Sequence, residues 1–203
     1  MLISGTKLIN MPVMSLQTGS AIGWVKKVYM NADNLKIAVL ELHGPLIGKS
    51  PEKYLDTKSI REYSEYGFIV DSAEELFDVA DVEKLRRIVD LDYNIIGLKV
   101  ISLKKSRLGR IEDYTVTSDD LVLQQLVVRR PIWKSLMDSE LLIPRKEIVE
   151  VNNKSIIVKD DEKTIRTKAE EDFVPNYVNP FRKRPAESDF APAHSQNPDE
   201  EDN

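Results

Sequence analysis

Two stretches of this chain repeat one another at an offset of about 87 residues. The first reads Pro12-Val13-Met14-Ser15-Leu16, then Ile22-Gly23-Trp24-Val25, then Leu35 to Leu42. The second reads Lys99-Val100-Ile101-Ser102-Leu103, then Leu108-Gly109-Arg110-Ile111, then Leu121 to Val128. The correspondence reaches the end of each copy, where Ser59-Ile60 and Phe68-Ile69-Val70 answer Glu147-Ile148 and Ile156-Ile157-Val158. A repeat of this length implies a duplicated domain. In 203 residues it favours two small units over one large one, each near the lower size limit for burying its own core.

Cysteine is absent, which excludes disulfides and thiolate metal sites. No stretch reaches the roughly 20 apolar residues of a membrane span, and the N-terminus lacks the pattern of a secretory signal. A cytoplasmic protein is the expectation. The net charge of −5 is unevenly spread. From Ile95 to Lys159, twelve Lys and Arg against eight Asp and Glu leave +4, so the second copy is the basic part of an otherwise acidic chain.

The periodicity is that of strands. Ile22, Trp24, Lys26, Val28 and Met30 fall on one pleat face, and Val25, Lys27 and Tyr29 on the other. Turn-forming residues, Asn31-Ala32-Asp33-Asn34 and Thr117-Ser118-Asp119-Asp120, separate this strand from the next in each copy. Short strands between such turns predict a small β-barrel or a strongly curled sheet. Gly23 and Gly109 hold equivalent places where a bend or a close backbone approach is expected. Neither lies in a phosphate-cradling loop.

Ser72 with Glu75 reads as a capping box opening a helix, and Val82, Leu85, Ile88 and Val89 continue as an apolar stripe toward Leu91. Residues 72–93 are therefore expected to be a helical linker docked on one or both copies. Beyond Asp160, prolines and acids replace any apolar period, which predicts a disordered tail. Within it Tyr177, Phe181 and Arg182 form a candidate peptide for a partner domain.

Reactive groups are scarce. His43 and His194 have no further metal ligands at suitable spacing. Ser15 and Ser102 recur without a nucleophile elbow, which points to a shared structural hydrogen bond. Glu112-Asp113 and Asp119-Asp120 each offer only one carboxylate to a common face. The expectation is a non-enzyme without cofactor or metal. Binding has better material: Arg129, Arg130, Trp133 and Lys134, with Arg145 and Lys146, gather cations around an aromatic in the second copy. Such a surface suits a protein partner first and RNA second, with Trp133 available for stacking. Trp24 is either the first copy's equivalent anchor or a core residue. The oligomeric state stays open.

The segments Ile96-Gly97-Leu98-Lys99-Val100, Leu108-Gly109-Arg110-Ile111-Glu112-Asp113-Tyr114, Leu142-Ile143-Pro144-Arg145 and Ile156-Ile157-Val158 resemble the PRC-barrel family. That family is named for the photosynthetic reaction-centre H subunit and includes a domain of a ribosome-maturation factor that acts in 16S rRNA processing. The first copy matches more loosely, with Leu55-Asp56-Thr57 in place of the Ile-Pro-Arg step. The resemblance implies a mainly β chain of two small barrels, residues 1–71 and 94–160, around the linker and before the tail of residues 161–203. It implies an adaptor that presents surface to another protein, or an accessory factor bound to a ribosomal particle.

Overall fold

The computed structural model describes residues 1–44, 53–64, 66–130, 140–159 and the backbone of 166–167. It is mainly β, with strands β1 (Leu2–Ser4), β2 (Pro12–Ser15), β3 (Ser20–Asn31), β4 (Lys36–His43), β5 (Lys53–Asp56), β6 (Glu62–Ser64), β7 (Gly67–Val70) and β8 (Leu76–Phe77) in the first half. One α-helix, α1 (Glu83–Leu91), precedes β9 (Lys99–Ser102), β10 (Arg107–Thr117), β11 (Leu123–Arg129), β12 (Glu140–Pro144), β13 (Ile148–Val151), β14 (Ser155–Val158) and β15 (Arg166–Thr167). Two curled sheets result, ordered β6-β7-β2-β3-β4-β5-β8 and β13-β14-β9-β10-β11-β12-β15. In each, the pairs β2–β7 and β9–β14 are parallel and the other pairs antiparallel.

The even alternation expected of β3 is broken by extra residues at Ile22, opposite Val13 and Met14, and at Lys26, while its partner β4 is bulged at Ala38. Each extra residue shifts the faces by one. Ile22, Val25 and Met30 therefore all enter the core, while Trp24 and Tyr29 face outward. The second sheet is bulged at matching places, β10 at Glu112 and β11 at Gln124. The segment from Ser72 also differs from one continuous helix. Ser72 accepts a hydrogen bond from the Glu74 amide, but this caps only a 3-10 turn, and Leu76–Phe77 then pair with β5 as an edge strand. Leu76 and Phe77 are apolar enough to gain more as a strand on the sheet than in an exposed helical turn. The α-helix begins only at Glu83, and Leu85, Ile88 and Val89 pack it over Tyr29, Val39 and Tyr54 on the outer face of the first sheet.

The two halves meet at their hairpin tips. Leu35 and Leu121 both adopt left-handed backbone conformations, φ 53° and 54°. For leucine this costs about 1–2 kcal/mol each. It aims their carbonyls across the junction: Ile37 N donates to Leu121 O and Leu123 N to Leu35 O, both at 3.0 Å. Lys36 and Val122 form the bridge between these bonds. Both leucine side chains are buried, so the strain is offset by burial as well as by hydrogen bonds.

The lead-in segments extend the exchange. β1 pairs with β10 of the other half, and Gly5 lies so close against the Tyr114 ring that a Cβ there would overlap it. Conversely, Asp92, just before the second copy, bonds Lys27 of β3 at 2.8 Å. Leu8 and Ile95, at matching places in the two lead-ins, are 0% and 1% exposed in one core cluster that spans both halves.

Two measurements check this shared core. Leu8→Ala should destabilise the whole chain by about 2–5 kcal/mol in a single denaturant transition, because its cavity opens into both halves; a transition confined to one half would contradict it. Burial pushes the Tyr93 and Tyr114 phenols up to about 12, and burial together with a bond to Glu41 pushes Tyr29 higher still. An unfolded chain ionises its tyrosines near 10. Their contribution is complete below that pH and lost as pH rises through about 12. Thermal melts should show a steep loss of Tm in that window, smaller in Tyr114→Phe.

Candidate functional site

Directly opposed residues on neighbouring strands share a face. By that rule Lys99 of β9, Arg110 of β10 and Arg129 of β11 form one cationic row across the second sheet, since Arg110 opposes both of the others. All three are exposed. Arg129 makes a two-pronged ion pair with Glu112, its Nε donating to Oε2 at 2.9 Å and its Nη2 to Oε1. Arg110 Nη1 donates to the Gly97 carbonyl at 2.8 Å. Both guanidinium groups are thus held along the sheet with donors to spare, and Lys99 has no ion pair among the described residues. Gly109 makes the row possible. A Cβ there would overlap the Arg129 carbonyl and crowd a Val128 methyl, so no side chain fits.

The corresponding row of the first sheet has different chemistry. Pro12 opposes Trp24, and Trp24 opposes His43. The Trp24 and His43 rings lie 6.3 Å apart at 36°. Trp24 is half-buried on this outer row, so it is an anchor candidate and not a core residue. The same position of the scaffold therefore carries Pro, Trp and His in one half and Lys, Arg and Arg in the other.

The other residues singled out by sequence divide. Arg130 follows Arg129 at the end of β11, partly exposed. Arg145 is spent on the junction: its Nη2 donates to Asn34 O of the other half at 2.8 Å. Lys146 is exposed near Arg145, and its carbonyl accepts from Lys159 Nζ at 3.2 Å. Trp133 and Lys134, and the tail residues Tyr177, Phe181 and Arg182, lie outside the described residues. Sequence reasoning passed over Lys99, Arg110, Pro12 and His43 as members of a row. Their only signal is strand register, which a one-residue bulge resets.

The polar groups considered for chemistry are engaged separately. Glu112 holds Arg129, whereas Asp113 accepts from the Thr6 amide at 3.2 Å and from the Ser4 and Thr6 hydroxyls. Asp120 accepts from the Thr117 hydroxyl and the Val122 amide, and that first bond holds its carboxyl below the usual range. Ser15 and Ser102 are buried, and each hydroxyl accepts an amide of the following turn, from Thr18 and Ser106. Glu41, 3% exposed, is the one deeply placed carboxylate of the first sheet's outer face among the described residues. It accepts from Tyr29 Oη at 2.8 Å and pairs with Lys26. The apolar cleft between the two lead-ins, floored by Tyr114 and walled by Lys27 and Asp92, has a volume of only 190 Å³. Ligand pockets start at roughly 300 Å³.

Residues 88–165 match the family model of the PRC-barrel domain, from the last turn of α1 through β14. The strands of the second sheet from β9 to β14 thus fall in a segment similar to the PRC-barrel domain. No curated protein matches the chain.

Gly109→Ala tests the row's dependence on close backbone approach. Overpacking of this kind costs about 1–3 kcal/mol, and urea denaturation should show it. Unchanged stability would mean that β10 and β11 separate there without cost.

Proposed function

We propose that the chain is a non-enzymatic, cytoplasmic adaptor built from tandem PRC-type barrels, residues 1–71 and 94–160, with the linker of 72–93 between them and the tail of 161–203 beyond. The observation that carries this reading is the row Lys99–Arg110–Arg129 in the segment that matches the family. Its guanidinium groups are already oriented, so less side-chain entropy is lost on binding. The chemistry that fits is a carboxylate-rich protein segment, with Arg130 next to the row in sequence and Trp133 and Lys134 outside the described residues. The Pro12–Trp24–His43 row gives the first half an apolar contact instead, so the two halves suit different parts of one partner or two partners.

The same three cations also support the second reading, an accessory factor in ribosome maturation that contacts RNA phosphates. The two readings separate in one experiment: affinity purification of the intact protein with and without nuclease, repeated with Lys99→Glu/Arg110→Glu. The adaptor reading expects a defined protein partner that survives nuclease and is lost in the charge-reversed variant. Loss on nuclease treatment, with binding that falls steeply with salt, would establish the RNA reading. Full retention of the partner by the variant would remove the row from either.

A further inference from the structure

The two sheets end alike but are covered differently among the described residues. Tyr54 of β5 opposes Phe77 of β8, and its counterpart Leu142 of β12 opposes Arg166 of β15. After β8 the chain turns over the outer face of the first sheet, where Leu85, Ile88 and Val89 of α1 cover Tyr29, Val39 and Tyr54. The matching face of the second sheet presents Thr115, Gln125, Val127 and Leu142. No α-helix other than α1 occurs among the described residues, yet Leu142 is only 5% exposed, as is Tyr54. The Thr115 hydroxyl is enclosed without a hydrogen-bond partner among the described residues.

The sequence after β15 carries the matching pattern. Phe77 and Arg166 are 89 residues apart, and the same step takes Leu85, Ile88 and Val89 to Val174, Tyr177 and Val178. The apolar spacing i, i+3, i+4 of one helical face is kept. By the same step Asp172 answers Glu83, the first residue of α1, Pro175 falls in the first turn and Pro180 answers Leu91, the last residue. Two of the covering residues have charged counterparts: Phe77 is answered by Arg166 and Val79 by Lys168. We propose that residues 168–181 dock across the outer face of the second sheet, over Thr115, Gln125 and Leu142, as α1 docks over the first.

The reach suffices. Ten residues separate Thr167 from Tyr177, about 15 Å even if helical. From β12 to β10 is two strand spacings, roughly 10 Å. A segment tethered this closely meets the face at an effective concentration in the millimolar range, which a separate partner has to exceed. The docked segment is the chain's own, so this inference stands whether or not the cationic row binds a partner.

The chain has no natural cysteine, so a paired-cysteine experiment is clean. Gln125→Cys with Val178→Cys reproduces the Val39–Val89 pair, and Lys99→Cys with Val178→Cys serves as control at the far end of that face, in the row through Arg110 and Arg129. Mild oxidation at low protein concentration should give an intramolecular disulfide in the first pair and little in the second. A second arm needs no new side chain: hydrogen exchange of the full chain against a chain ending at Lys168. The amides of β11 and β12 should exchange at least roughly tenfold faster in the shorter chain while those of β3 and β4 stay protected. Equal cross-linking of both pairs, a disulfide only between chains, or unchanged exchange would each overturn the proposal.

Discussion

The fold depends on a backbone exchange at two hairpin tips. Leu35 and Leu121 sit in a conformation that leucine avoids, and each thereby offers its carbonyl to the other half's strand. Neither tip can keep that shape alone, because the accepting carbonyl of one is satisfied only by the amide of the other. Arg145 reinforces the junction by bonding Asn34 from across it, and the lead-ins bury Leu8 and Ile95 beside it. The result is one core cluster fed by two sheets. This removes the size problem that each copy would face separately.

Because the core and junction are shared, the outer surfaces are where the halves are free to differ. The first half spends its outer face on α1, with Lys27–Asp92 at 2.8 Å and Lys53–Asp78 at 3.0 Å fixing the segment around the helix. Glu41 beneath it is partnered by Lys26 and Tyr29, so its charge is not left uncompensated. The second half keeps charge in the row across β9, β10 and β11 instead. One strand arrangement thus supports an apolar-aromatic row and a cationic row at equivalent positions, and only the second falls in the segment that matches the PRC-barrel family.

Much of the strand order was legible because turn residues punctuate the chain at the same intervals twice. Asn31 to Asn34 and Thr117 to Asp120 mark the tips that the structure shows, and Ser15 and Ser102 perform the shared hydrogen bonding that their recurrence suggested. The faces were less legible. A bulge is one residue long and leaves no compositional trace, so Trp24 moved from the predicted side of β3 to the other. The Ser72 box is a real cap, but of a single turn, since pairing on β5 competes for the next two residues. Of the basic cluster, Arg129 was legible as surface and Arg145 was not legible as a junction residue. Its acceptor lies 111 residues away in sequence, and no local pattern encodes that.

The pairing of β1 with β10 has a consequence for how the molecule is made. Leu2–Ser4 are synthesised well before their partners, Thr115–Thr117, which emerge more than a hundred residues later. At about 5–20 residues per second that is a wait of many seconds. Through that interval β1 has no strand to join, and closing so long a loop is costly and slow. β1 is therefore placed only after β10 exists, and its docking registers that the second half has folded.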